Sequence, residues 1–176
     1  TWLQLGSHTG THLDAPAHMI ENGTSLDELP AAAFVGPGLA VDVAAFAGAE
    51  IPLTYFQPWR GQLEHCGFLL LRSGHDRFFG SDAYYRGFPL LSAEAAAYLA
   101  GLPQLQGIGL DMISIDDAAT ETYRNHHIML GAGKVVVENL TNLSELSGAP
   151  FLFAALQLKY PHADGSPVRA VAIELP

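Results

Sequence analysis

The sequence predicts an α/β fold in which a mixed β-sheet or a small barrel-like β core is flanked by helices. Short apolar runs bounded by glycine or charged residues indicate buried strands at residues 68–71, 106–110 and 134–138. Between them, the alanine-rich segment 92–100 predicts a helix, with Ser92 as its N-cap and Gly101 as its stop. Because some predicted strands follow one another directly and others are separated by helices, a mixed sheet is expected.

The remaining elements are weaker and are taken in chain order. We predict strands at 2–5, 38–43, 152–158 and 168–174, a capping box opening a helical turn at 25–28, a long irregular connection at 72–89, and a mostly helical segment at 117–130. No repeat, low-complexity tract or linker interrupts the chain, so residues 1–176 are interpreted as a single domain.

Composition limits the classes of function. The chain has 176 residues, of which 49% are hydrophobic and 15% charged, as in globular proteins. The formal charge of −10 disfavours nucleic acid and anionic membrane surfaces as partners. Cys66 is the only cysteine, which excludes an intrachain disulfide and a thiolate metal site, and we predict that it is buried. No apolar run is long enough to cross a bilayer, and a cytoplasmic location is expected.

The segment 8–18 is crowded with metal-ligand chemistry. It holds three of the eight histidines and an aspartate, namely His8, His12, Asp14 and His18. Imidazole and carboxylate groups suit zinc, manganese and similar divalent ions. A straight strand would spread this segment over roughly 33 Å, too far for one site. Gly10 and Pro16 allow the chain to bend, so we predict a folded loop that gathers the four side chains, rather than a solvated loop with incidental histidines.

A second group of candidates lies near the turn at 131–133. His126 is expected late in a helix and Glu138 at the end of a strand, so the turn could bring both to one sheet edge. Taken alone, each has an ordinary alternative. His126 could be a helix C-terminal histidine favoured by the dipole, and Glu138 a surface residue. The apolar run 135–137 before Glu138 argues for a buried carboxylate that needs a cation or hydrogen bonds.

The motif His-Thr-Gly-Thr-His-Leu-Asp-Ala-Pro-Ala-His at 8–18 resembles the signature of the cyclase family, which includes the bacterial kynurenine formamidases and the isatin hydrolases. Segments 71–76, 109–116, 126–140 and 164–169 also resemble family segments, with His75 where tryptophan is common. The resemblance therefore extends over nearly the whole chain. It also implies an upstream segment, with a strand and substrate-contacting residues, that is missing from this sequence.

The resemblance implies a role for each candidate. It assigns His8, His12 and Asp14 to a first metal, and Asp14, His126 and Glu138 to a second. His18 resembles the general acid/base, and His127 would be a packing residue or lie behind the ligands. One or two divalent ions, zinc or manganese, are expected, because nitrogen and oxygen ligands admit both metals. Asp111, Ser114 and Asp116 could orient ligands or could serve only as strand-end and N-cap residues.

The expected activity is metal-dependent hydrolysis of an aryl formamide or cyclic amide, resembling N-formylkynurenine or isatin, by a metal-activated water. The small-molecule substrate would lie among aromatic side chains, for which the candidates are Trp2, Phe78, Phe79, Tyr85 and Phe88. The resemblance also implies a homo-oligomer, a dimer or tetramer. Two alternatives stay open: a metal-dependent cyclase or lyase acting on a polyketide-like carbonyl, and a non-catalytic metal-binding homologue.

Overall fold

The structure is a computed structural model, and residues 1–174 are described from it. Within these residues the strands are β1 (His12–Asp14), β2 (Val35–Asp42), β3 (Glu50–Ile51), β4 (Phe68–Arg72), β5 (Leu90–Leu91), β6 (Gly107–Leu110), β7 (Val135–Glu138), β8 (Phe151–Ala154), β9 (Gly165–Pro167) and β10 (Val171–Glu174). The α-helices are α1 (Arg60–Leu63), α2 (Ala93–Ala100) and α3 (Arg124–Gly131). Several short 3₁₀ turns connect them.

Eight of the strands form one mixed sheet in the order β10-β8-β2-β4-β6-β7-β1-β9. The central strands β2, β4, β6 and β7 are parallel, and the outer strands pair antiparallel on both sides. Strands β3 and β5 make a separate parallel pair. The predicted mixed sheet with flanking helices is therefore confirmed.

Strands β4, β6 and β7 are buried on both faces, which explains their continuous apolar sequences. In β4, Leu69 and Leu71 pack in a cluster with Leu99 of α2 and Met129 of α3. The intervening Phe68 and Leu70 belong to the cluster on the opposite face of the sheet. The helices thus cover one face, and this is the face on which α3 meets β7.

Several local predictions are confirmed. The hydroxyl of Ser92 accepts a hydrogen bond from the backbone N–H of Ala95 at 3.2 Å, and α2 ends at Ala100 with Gly101 as its C-cap. Cys66 is buried, with 4% of its surface exposed. The backbone N–H and the hydroxyl of Ser25 both donate to the carboxylate of Glu28. Residues 26–28 form a turn at this contact and do not continue into a helix.

The strand predicted at residues 2–5 is wrong. This segment has no regular structure, and Trp2 is 81% and Leu3 77% exposed. An alternating sequence forms a strand only when a neighbouring strand receives its hydrogen bonds, and no described strand pairs with this segment.

The helix predicted at 117–130 is too long, since α3 begins at Arg124. The carboxylate of Asp117 accepts the backbone N–H of Ala119, which favours a turn over a helix. Tyr123 then adopts a left-handed backbone conformation with a φ of 44°. His126 therefore lies in the first turn of α3, not late in a helix, and the helix C-terminal interpretation of this histidine is wrong.

The final strands also differ from the sequence prediction. The strand predicted at 152–158 is shorter, because β8 ends at Ala154. The strand predicted at 168–174 is reduced to β10, and the separate strand β9 precedes it. None of the helices described in residues 1–174 is long and apolar enough to cross a membrane.

Candidate metal centre and active site

Strand β1 forms the centre of the site because it pairs with two segments that are distant in the sequence. His12 lies opposite Glu138 of β7 and opposite Pro167 of β9. Side chains alternate along a strand, so His12 and Asp14 share one face, and Glu138 points to the same face from the neighbouring strand. The intervening Leu13 packs in the core on the other face.

Two bends bring the ends of the motif back to β1. Gly10 has a φ of 63°, a left-handed conformation that glycine adopts without strain. After β1, a 3₁₀ turn runs over Pro16–His18. As a result the rings of His8 and His18 lie 3.9 Å apart between their centroids. The predicted bends at glycine and proline are present, but the middle of the motif is a strand rather than part of a loop.

Helix α3 places His126 over the same face. Asp116 fixes its orientation, because the carboxylate accepts hydrogen bonds from the Nδ1 and the backbone N–H of His126, each at 2.9 Å. The Nε2 of His126 is left 3.4 Å from Glu138 Oε1 and 3.7 Å from Asp14 Oδ2. A carboxylate that holds the outer nitrogen of a histidine is a common arrangement behind a metal ligand.

Asp14 lies at the centre of the cluster. Its Oδ1 lies 2.7 Å from His8 Nδ1 and 3.3 Å from His12 Nε2. Its Oδ2 is buried and has no hydrogen-bond partner among the described residues. Glu138 is also buried, with 5% of its surface exposed. Two buried carboxylates with an unsatisfied oxygen, surrounded by imidazoles, form a donor set that fits a divalent cation.

The donor atoms fall into two overlapping groups in which all ligand atoms lie within 4.8 Å of one another: His8 with Asp14 and His18, and His12 with Asp14 and Glu138. This grouping differs from the one implied by the resemblance, where His8 and His12 share a metal. It also places His18 close enough to act as a ligand. A proton-transfer role and a ligand role for His18 are therefore both compatible with the geometry.

The pKa values reflect this crowding in the absence of metal. Burial alone would raise the pKa of Asp14, but the neighbouring imidazoles of His12, His126 and His8 hold it well below its usual value. Burial opposes protonation of His126, yet its hydrogen bonds to carboxylates prevail and raise its pKa to about 11. Burial raises the pKa of Glu138. Burial, together with the charges of His8 and His126, lowers the pKa of His18 despite the attraction of Asp14.

A cleft of about 540 Å³ opens over the cluster and is lined by His8, His12, His18, His126, Glu138 and several aromatic side chains. Of the five predicted aromatics, Phe79 and Tyr85 line it, while Trp2, Phe78 and Phe88 do not. Phe88 is buried in the core. Tyr84 and Tyr123 also line the cleft and were missed, because their positions depend on irregular connections. A larger groove along β2, of about 770 Å³, contains none of the candidate ligands.

The other candidates divide into those that support the site and those that do not. Asp116 orients His126, and Ser114 in turn accepts the backbone N–H of Asp116. Asp111 instead accepts the backbone N–H groups of residues 73 and 74, so it anchors the loop after β4. His127 is exposed, so the packing alternative expected for it is wrong, and a place behind the ligands stays a prediction. Asp164, for which the sequence predicts no role, has its Oδ2 3.2 Å from Nε2 of His8.

Gly165 tests whether the position of His8 matters. A Cβ at this glycine would lie 2.8 Å from His8 Nε2, so Gly165→Ala must displace the imidazole. We expect metal affinity to fall by about 10–100-fold, the usual cost of misorienting a ligand, with little change in the melting temperature of the metal-free protein. Gly61→Ala is the matched control, because a Cβ there meets nothing within 4 Å. Equal metal affinity in both variants, measured by competition with a chelator, would contradict a ligand role for His8.

Fold and site together define an α/β protein with a buried histidine and carboxylate centre under an aromatic cleft. The family model described as putative cyclase matches residues 1–117, and the chain belongs to this family. It is 32% identical over 171 residues to the kynurenine formamidase of Bacillus cereus, an alignment that covers 96% of this chain and 77% of the relative.

Two solved structures show the same fold. Isatin hydrolase A from Labrenzia aggregata, bound to benzyl benzoate, is 28% identical with a TM-score of 0.84, over 97% of this chain and 75% of that one. A potential metal-dependent hydrolase with cyclase activity is 28% identical with a TM-score of 0.82, over 98% and 82% of the two chains. The resemblance seen in the sequence is thus confirmed at the level of the family.

Proposed function

We propose that this chain is a metal-dependent hydrolase of aryl amides, acting on an aryl formamide or a cyclic amide with His18 as general acid and base. The observation that carries the proposal is the convergence of ligand side chains beneath the aromatic cleft. Four of the five candidate ligands line it, namely His8, His12, His126 and Glu138, and the fifth, Asp14, joins them from below. The relationship to kynurenine formamidases and isatin hydrolases supports the same chemistry.

His8, His12, Asp14, His126 and Glu138 would hold one or two divalent ions, with zinc and manganese as the metals their nitrogen and oxygen atoms suit. A bound ion supplies Lewis-acid catalysis, since it polarises a carbonyl and makes water acidic near neutral pH. The protein orients the ligands before any ion binds. Gly10 O holds His12 Nδ1 at 2.8 Å and Asp116 holds His126 Nδ1, which leaves the Nε2 of each ring free for the metal.

His18 is suited to proton transfer. Its lowered pKa favours the neutral imidazole near pH 7, the form that accepts a proton. In the proposed reaction His18 takes a proton from the attacking water and returns it to the nitrogen that leaves the carbonyl carbon. No side-chain nucleophile is needed. Burial raises the pKa of the Cys66 thiol to about 11, and Cys66 lies outside the cleft.

The lining of the cleft favours an uncharged aromatic substrate. Phe79, Tyr84, Tyr85 and Tyr123 offer aromatic surface, and no lysine or arginine is present among its described lining residues. A substrate that carries an amino-acid carboxylate would lack a permanent cationic partner there. A neutral cyclic aryl amide carries no carboxylate and needs no such partner. We therefore propose that isatin-like lactams are hydrolysed in preference to N-formylkynurenine.

The test is to measure kcat/KM for isatin and for N-formylkynurenine with zinc-loaded and manganese-loaded protein. The proposal expects hydrolysis of at least one of the two, with the larger value for isatin. Faster hydrolysis of N-formylkynurenine would overturn the substrate preference. If neither compound is hydrolysed although the protein binds metal, the amide hydrolase assignment is wrong, and the cyclase or lyase alternative is to be tested with polyketide-like carbonyl compounds.

Metal affinity should rise with pH. Carboxylate partners raise the pKa of His8, His12 and His126 in the metal-free protein against the effect of burial, so protons compete with a metal ion for these rings more strongly than for a free imidazole. An ion binds the neutral imidazole, and binding must release those protons. Calorimetry in buffers of different ionisation enthalpy measures the release directly. Affinity that stays constant between about pH 6 and 8 would contradict imidazole ligation.

A further inference from the structure

The three candidate ligand histidines share one arrangement. In each ring one nitrogen faces the buried carboxylates, and the other contacts an oxygen atom. That oxygen is Gly10 O for His12, at 2.8 Å, and Asp116 Oδ2 for His126, at 2.9 Å. For His8 it is Asp164 Oδ2, which lies 3.2 Å from Nε2, while Nδ1 faces Asp14. Asp164 thus contacts the outer nitrogen of His8 in the same way that Asp116 contacts the outer nitrogen of His126.

The backbone around Asp164 is fixed. The residue immediately precedes β9, where Gly165 pairs with Asp14 of β1. Its carbonyl oxygen accepts the backbone N–H of Ala15 at 2.8 Å. The pairing of β1 with β9, which positions Asp14, therefore also places the carboxylate of Asp164 at the rim of the cluster. Its side chain is 46% exposed, so it lies at the boundary between the cluster and solvent.

Asp164 also reaches the residue assigned to proton transfer. Its Oδ2 lies 3.6 Å from Nδ1 of His18, and the rings of His8 and His18 are in contact. One carboxylate oxygen is therefore next to both a candidate metal ligand and the candidate acid/base. None of the other carboxylates in the described chain lies within 4 Å of a nitrogen atom of His18.

We propose that Asp164 is a positioning residue. Its carboxylate contacts Nε2 of His8 and so directs Nδ1 of that ring towards the metal. It also contacts Nδ1 of His18, which leaves Nε2 of His18 to face the substrate. This proposal rests on the ligand role of His8 in the proposed function. Asp164 touches neither substrate nor metal in this role. It acts through the two imidazoles, as carboxylates behind metal-bound histidines do.

The experiment compares Asp164→Ala, Asp164→Asn and the control Glu64→Gln, which alters an exposed carboxylate paired with Arg60 in a surface ion pair. Zinc affinity is measured by chelator competition, and the visible spectrum of the cobalt-loaded protein reports ligand geometry. We expect Asp164→Ala to weaken zinc binding by about 10–100-fold and to change the cobalt spectrum. Asp164→Asn should retain part of the affinity, since its amide oxygen can still accept from His8.

With the substrate that the wild type hydrolyses, Asp164→Ala at saturating metal should lower kcat and leave KM nearly unchanged, because it misorients His18 without altering the aromatic walls. Wild-type zinc affinity and an unchanged cobalt spectrum in Asp164→Ala would overturn the proposal. The proposal would also be overturned if Asp164→Ala and Asp164→Asn lost zinc affinity to the same extent and both lowered the melting temperature of the metal-free protein. That result would show that Asp164 only stabilises the strand. Zinc and cobalt binding need no substrate, so failure of the proposed hydrolase activity is distinguished from failure of this role.

Discussion

His12→Ala is expected to abolish metal binding and hydrolysis together. His12 directs Nε2 towards both buried carboxylates, 3.3 Å from Asp14 and 3.6 Å from Glu138, and it belongs to the donor group with these two residues. Removing it takes away a ligand and not merely its support. Removal of a residue that only hydrogen-bonds a metal-bound histidine weakens metal binding by up to roughly 100-fold, and the loss of zinc affinity in His12→Ala should exceed that value. At metal concentrations that give the wild type full activity, turnover by His12→Ala should fall to the background rate.

Two further variants keep this result interpretable. His12 is buried, so His12→Gln, which fills more of its volume, shows whether loss of packing alone explains the effect. His127→Ala changes an exposed histidine on α3 next to His126 and should behave as wild type. Elemental analysis and circular dichroism on all three give metal content and folding. A folded His12→Ala protein that retains stoichiometric metal would show that His12 is not a ligand.

His18→Ala is expected to leave the protein folded and metal-loaded and to slow turnover by about 10²–10⁴-fold, the usual contribution of general acid–base catalysis. His18 lies on the 3₁₀ turn after β1 at the rim of the cleft, and its side chain is 22% exposed. It can therefore be removed without opening the core. The pairing of β1 with β7 and β9 does not depend on it.

The same variant decides between the two roles that the geometry allows for His18. If His18→Ala loses metal in parallel with His12→Ala, then His18 is a ligand, as its grouping with His8 and Asp14 permits, and the proton-transfer assignment is wrong. If it keeps both metal and near-normal turnover, another group carries the proton. His75 is not that group, because it is buried outside the cleft with its Nε2 next to Tyr84 O.

The sequence predicted the elements whose signal is local. Strands β4, β6 and β7 are apolar runs because both faces of the sheet are covered, and α2 is bounded by Ser92 and Gly101. The crowding of ligand types in residues 8–18 likewise follows from the sequence alone. Its bends lie at glycine and proline, where backbone chemistry predicts them.

The remaining features depend on contacts between distant segments, which no local pattern records. Strand β1 has three residues and exists because β7 and β9 pair with it from far along the chain. The contacts of Asp116 with His126 and of Asp164 with His8 arise in the same way. The start of α3 was missed because turn-forming hydrogen bonds of aspartate compete with the helix. The homo-oligomer stays a prediction that light scattering can measure.

The most direct test of the central claim is a titration of metal-free protein with zinc or manganese while the rate of amide hydrolysis is followed. A site built from His8, His12, Asp14, His126 and Glu138 predicts no turnover without metal and a rate that saturates at one or two equivalents per chain. Turnover that persists after complete metal removal, confirmed by elemental analysis, would contradict the account.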